Sequence, residues 1–278
     1  MRQLFNFLFS KTSTRLLVGC WLQLGVVVGL HGQTAMNPPS NAKITITLDS
    51  VVIDPTPAPS SAPAARLGGH ALGYYRLSGS ALVLTSSGIT TQGSGSTIVA
   101  CVGRGDLSAF SLPRDNKGNA PYRQLGPAHP YALWGGSGTA LYAFESAVGG
   151  TGHTVATDNR LGDEITMAVV EVANGGLIQD YKWNEVLSGS PLTSLSVTTT
   201  GPATLVAFWW GDAGVDSVKT ALPNNGFVVI DSILEAGALV QCAVAAKEVS
   251  AAGTYNVTWS ATPQQGAQLW LVAVQRAP

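Results

Sequence analysis

The chain has 278 residues, 45% of them apolar and only 11% charged, with a formal net charge of −1. That length suits one large β domain or two small ones, and the apolar share can fill a sizeable core, while the charged share is well under the roughly 25% of an ordinary soluble domain. A near-neutral chain without a basic run has no electrostatic footprint for nucleic acid or for an anionic membrane surface.

Residues 1–15 carry Arg2, Lys11 and Arg15 and no acid, residues 16–30 are almost unbroken apolar sequence, and residues 31–35 supply small side chains suited to cleavage. This is the layout of a signal peptide over residues 1–35. Its apolar core is shorter than the roughly 20 residues a span requires, so the mature chain is expected to have no membrane span. Leu17-Val18-Gly19-Cys20 has the look of a lipoprotein box, but too few apolar residues precede Cys20. The expected location is the cell envelope or the extracellular space. Cleavage leaves Cys101 and Cys242, in the strand-like runs 97–102 and 238–246. Export permits a disulfide between them, and two buried free thiols are the alternative. Two cysteines alone make no metal site, and neither a metal nor a cofactor is expected.

Residues 43–53 (KITITLDSVVI) alternate apolar and polar side chains over their first half and read as a strand. Residues 54–65 are rich in Pro, Ala and Ser, so 36–66 form an N-terminal strand and linker ahead of a β domain over 67–278. Within that domain short β-like runs fall at 74–77, 81–85, 97–102, 138–144, 153–157, 164–172, 194–199, 203–210, 226–230, 238–246, 253–260 and 267–274. Turn signals separate them, among them Gly149-Gly150, Asn174-Gly175-Gly176 and Asn224-Asn225-Gly226. Residues 164–172 are apolar on both faces and read as a central strand. Residues 177–187 (LIQDYKWNEVL) are the best helical stretch and could equally be a loop. No fixed-period repeat is visible. The fold class expected is all-β, a two-sheet antiparallel sandwich of jelly-roll type.

The chemistry-bearing residues are sparse. His70, His129 and His153 lie far apart, with no His-Glu-x-x-His spacing, and there is no Gly-x-Ser-x-Gly elbow or phosphate-cradling loop with a Lys. Glu171 sits in phase with Ile165, Met167 and Val169, so it is either a proton donor on an apolar face or a strand-end carboxylate at the core's rim. Glu145 and Asp212 are its candidate acid partners, since a glycosidase needs two carboxyls facing one cleft. Trp134 in LWGGSG, Trp183 in YKWNE, and Trp209-Trp210 followed by Gly211-Asp212 are candidates for a sugar-stacking platform, because the C–H face of a sugar packs on an indole. Alternation puts Trp209 and Trp210 on opposite faces, so at least one belongs to the core. Asp115-Asn116-Lys117-Gly118-Asn119 is a strong turn signal with a weak likeness to a calcium loop, lacking its later glutamate. Arg104-Gly105-Asp106 reads as a solvated turn.

The run 97–102, then DNKGN with Tyr122, Ala140-Leu141-Tyr142-Ala143, Gly149-Gly150-Thr151-Gly152-His153-Thr154-Val155, Val169-Val170-Glu171-Val172, the run 196–200 and Gly253-Thr254-Tyr255 with Trp259-Ser260 together resemble a loose group of bacterial secreted β-sandwich domains of uncharacterised function. The resemblance covers residue 67 to the C-terminus. It implies an exported bacterial domain and brings no catalytic residues with it. The leading expectation is a non-enzymatic exported or surface-associated binding module whose partner is a glycan or a protein. A polysaccharide hydrolase and a structural subunit of an extracellular assembly are the alternatives.

Overall fold

The computed structural model describes residues 63–76, 81–106, 110–188, 190–212, 220–262 and 266–277. The expected signal peptide and the expected strand at 43–53 lie outside the described residues. Among those residues there is no helix, and no element is long and apolar enough to cross a membrane as a helix. The chain is all-β and antiparallel, as its turn-punctuated pattern predicts.

The strands fall into two consecutive sets. The first comprises β1 (Arg66–Tyr75), β2 (Val83–Thr85), β3 (Ser94–Arg104), β4 (Arg114–Asp115), β5 (Arg123–Gln124), β6 (His129–Tyr131), β7 (Trp134–Val148), β8 (Val155–Asp158) and β9 (Ile165–Ala173). The second comprises β10 (Gly176–Val186), β11 (Leu192–Thr193), β12 (Val197–Thr199), β13 (Ala203–Asp212), β14 (Leu222–Pro223), β15 (Val228–Ile233), β16 (Val240–Val249), β17 (Gly253–Tyr255), β18 (Thr258–Ser260) and β19 (Ala267–Arg276). The first set makes a main sheet in the order β1-β9-β3-β7-β5, with β6 also on β7, and a small sheet β2-β8-β4. The second makes a main sheet β10-β19-β13-β16-β15 and small sheets β11-β18-β14 and β12-β17.

The inner strands of both main sheets are buried on both faces, which accords with the low charge of the chain. On β9, Ala168, Val170 and Val172 enter the core between the main sheets, while Ile165, Met167 and Val169 enter a second core under Leu84 of β2 and Val155 of β8. On β13, Val206, Phe208 and Trp210 enter the central core, while Leu205, Ala207 and Trp209 meet Leu192, Val197, Val257 and Trp259. Strands covered on both sides read as continuous apolar runs rather than as alternation. The described residues form five antiparallel sheets in all. Small sheets cover each outer face, and neither main sheet closes into a barrel.

The two sets repeat one another. In each, the first long strand pairs with the last, the last with the central strand, and the central strand with the next long one. The registers match as well. Thr97 stands opposite Val172 as Thr204 stands opposite Val274, and Cys101 is flanked by Leu141 and Ala168 as Phe208 is by Val244 and Trp270. Even the bulge in the opening strand recurs: β1 slips just past the Leu67–Val172 pair, and β10 just past the equivalent Ile178–Val274 pair. The halves pack through equivalent faces, Val99 and Cys101 of one and Val206 and Phe208 of the other sharing the central core. Gly103 lets them close, since a Cβ there would land on the Trp210 indole.

Residues 176–186 form strand β10 and no helix. Ile178, Tyr181 and Trp183 pack on the central core, and the whole strand pairs with β19. Sheet pairing and burial outweigh a weak local helical preference.

Candidate functional site: a cleft where the two halves meet

β3 and β13 occupy equivalent places in the two halves and run out at the same end of the molecule. By register, Gly105 just beyond β3 corresponds to Asp212 at the end of β13. Their neighbours in the two sheets begin beside them, β7 at Trp134 and β16 at Val240. A cleft of about 460 Å³ opens there, lined by Gly105 and residues 134–137 from the first half and by Asp212 and Leu239 from the second. Clefts between packed units are favoured ligand sites.

The local sequence shapes each wall. Gly135 and Gly136 carry no side chain, so backbone forms that part of the lining. Trp134 is left 59% exposed and Leu239 42% exposed. The Ser137 hydroxyl donates to the Trp134 carbonyl at 2.9 Å, fixing the opening of β7 that presents the indole. Gly105 must lack a Cβ, because one would come within 2.8 Å of Asp163 Oδ1. Behind it Asp163 Oδ2 accepts from Nε and Nη2 of the fully buried Arg104 at 3.0 and 2.8 Å. Arg104 also donates to Asn159 Oδ1 and to the Asp158 carbonyl. Glu164 Oε2 accepts from the backbone N–H groups of Leu239 and Val240 at 2.8 and 3.2 Å and from the Tyr74 hydroxyl at 3.1 Å. A carboxylate of the first half thus fixes the opening of β16, and with it the Leu239 wall. Burial pushes the Asp212 carboxyl above the usual carboxylate range; the Ser137 hydroxyl opposes the rise, and the charges of Glu164 and Asp163 add to it.

Of the residues the sequence singles out, Trp134 and Asp212 meet in this cleft. The other three do not join them. Trp209 and Trp210 are buried on opposite faces of β13, so both are core and neither offers a surface. Trp183 is stacked on His129, ring centroids 3.7 Å apart and nearly parallel, and packs on the central core. Cys101 and Cys242 are free thiols in that core, and burial raises the pKa of each.

Comparison with protein-family models, with curated proteins and with solved structures found no match.

Glu171 is neither a rim residue nor a member of an acid pair. It is buried, with Oε1 accepting from Gln92 N at 2.6 Å and Oε2 from Gly69 N at 3.0 Å, so it closes the β1 bulge. Glu145 accepts from Ile178 N and from Arg123. Ile98 stands opposite both Phe144 and Glu171, which places Glu145, one residue on, on the other face of the sheet. Glu171 is six strand residues from Ile165 at the cleft end, roughly 20 Å at about 3.3 Å per residue. Glycosidase carboxyls stand about 5–9.5 Å apart.

Sequence reasoning missed a second cluster. His153 Nε2 donates to Asp115 Oδ2 at 3.1 Å, and its Nδ1 lies 3.0 Å from the Thr91 hydroxyl. The residue types are those of a nucleophilic triad. His153 is fully buried, however, and the Thr91 oxygen already accepts from Gly150 N at 3.0 Å. No face of the hydroxyl is open to a substrate, and the cluster staples the DNKGN turn to the loop before β8. The DNKGN oxygens are likewise engaged: Asp115 Oδ1 accepts from the backbone of Lys117 and Asn119. Among the described residues no cluster of three or more His, Cys, Asp or Glu side chains is arranged to hold a metal.

Proposed function

We propose that this chain is an exported, non-enzymatic binding module built from two jelly-roll-like halves, and that it holds a glycan in the cleft between them. The observation that carries this reading is the convergence of an exposed indole and a half-buried carboxyl from different halves in one concave site. Trp134 supplies a flat apolar surface for the C–H face of a sugar ring. Asp212 and the backbone of Gly135 and Gly136 supply hydrogen-bonding groups for its hydroxyls. The signal-like layout of residues 1–35 supports export, and the resemblance to secreted β-sandwich domains supports the same setting.

A broad glycan array probed with the exported chain tests the proposal. Binding to a defined set of sugars, lost in Trp134→Ala, is the expected result; silence across the array contradicts it. The polysaccharide-hydrolase reading retains Asp212 as an acid of raised pKa in a cleft. Release of reducing ends from an array-positive polysaccharide would favour that reading, and binding without release is expected.

A further inference from the structure

We infer that Asp212 makes the cleft a site for amine-bearing sugars and turns acidic sugars away; this rests on the glycan reading above. Among the described residues the lining holds one carboxyl and no cationic side chain. Among the described residues, two guanidinium groups near the cleft are already engaged. Arg104 is fully buried against Asp163 and Asn159, and Arg160 is paired with Asp106. Asp163 and Glu164 lie close enough behind the cleft for their charges to act on Asp212. A uronate or sulfate entering here would face the Asp212 carboxylate with no cation among the described lining residues to receive it, and like charges repel. An ammonium group gains twice. It meets a carboxylate, which makes a charge-assisted hydrogen bond, and it can approach the indole face of Trp134. An N-acetylated sugar keeps the stacking and loses both charge terms.

The test uses the exported chain and three short probes of equal length at physiological salt, where non-specific attraction between exposed charges is screened. The probes are glucosamine oligosaccharides, their N-acetylated counterparts and oligogalacturonates. Titration calorimetry is expected to show the amine form binding about tenfold more tightly than the acetylated form, with no binding of the acidic form. Asp212→Asn is expected to bring the amine-to-acetyl ratio close to one. Leu239→Lys, at an exposed position that leaves Asp212 in place, is expected to do the same and guards against a folding defect in the first variant. A wild-type ratio near one or favouring the acetylated form overturns the inference while the glycan reading stands, as does a ratio that survives both substitutions. Failure of all three probes together with a silent array overturns both.

Discussion

Replacing Asp115 by Ala removes the acceptor at the centre of the DNKGN staple, and the cost can be worked from its partners. Asp115 accepts from the N–H groups of Lys117 and Asn119 through one oxygen, and from the Asn119 amide, the Tyr122 hydroxyl and His153 Nε2 through the other. The Lys117 amide lies nearer the surface and can turn to water, and the Asn119 side-chain amide keeps the Val148 carbonyl. The Tyr122 hydroxyl and the His153 nitrogen cannot, because Tyr122 is 1% exposed and His153 is fully buried. Each buried group left without a partner costs about 1–3 kcal/mol, so Asp115→Ala is expected to destabilise by about 4 kcal/mol. At about 2–4 °C per kcal/mol for a domain of this size, the melting temperature falls by roughly 8–16 °C. Urea unfolding followed by tryptophan fluorescence reads the first number and calorimetry the second. A loss under about 1 kcal/mol would refute the staple. The pH dependence offers an independent check. Burial alone would push the Asp115 carboxyl up, but hydrogen bonds from Asn119, Tyr122 and His153 more than offset this and hold it below the usual range. A carboxyl depressed in the folded state contributes stability above its unfolded pKa, about 3.9, and loses it as the pH falls through the folded value. Wild type should therefore lose stability steeply below about pH 4, and Asp115→Asn should flatten that limb.

Gly103→Val drives a branched side chain into the Trp210 indole at the contact between the halves; overpacking there is expected to cost about 3 kcal/mol in urea unfolding, and a change under about 1 kcal/mol would mean the halves do not close at this point. Cys101 and Cys242 are buried free thiols whose pKa burial raises, so Ellman's reagent should label neither in the native protein and both after denaturation. Rapid native labelling would contradict their place in the core, and no labelling after denaturation would reveal a disulfide. Glu171→Ala removes the acceptor for Gly69 N and Gln92 N and is expected to destabilise by about 2–4 kcal/mol without changing ligand affinity. An unchanged stability with altered binding would return Glu171 to the functional site.

The strands that were legible in the sequence are those whose side chains are apolar on both faces: residues 97–102, 138–144, 203–210 and 267–274 each lie within a long strand of a main sheet, while 164–172 and 238–246 begin one and two residues ahead of theirs. The repeat was not legible, because topology and register carry it more than side chains do. Thr97-Ile98-Val99-Ala100 and Thr204-Leu205-Val206-Ala207 are alike, but Cys101-Val102-Gly103 then faces Phe208-Trp209-Trp210 at equivalent positions, small residues on one side allowing large ones on the other. β10 was obscured because its polar residues alternate irregularly around a bulge, which leaves no clean period of two. Trp134 and Asp212 were each visible as residues of interest. Their meeting was not, because it depends on how the halves pack. Glu164, which fixes the Leu239 wall through two backbone N–H groups, has no sequence signal beyond its place at the start of an apolar strand.

The most direct measurement is the affinity of an array-positive oligosaccharide for the wild-type chain and for Trp134→Ala, with thermal unfolding of both proteins in parallel. Trp134 is largely exposed, so its removal should leave the melting temperature unchanged. A ligand seated on its ring loses at least about tenfold in affinity, the usual scale for an aromatic anchor. Equal affinity in two equally stable proteins would place the ligand elsewhere and contradict the cleft as the binding site.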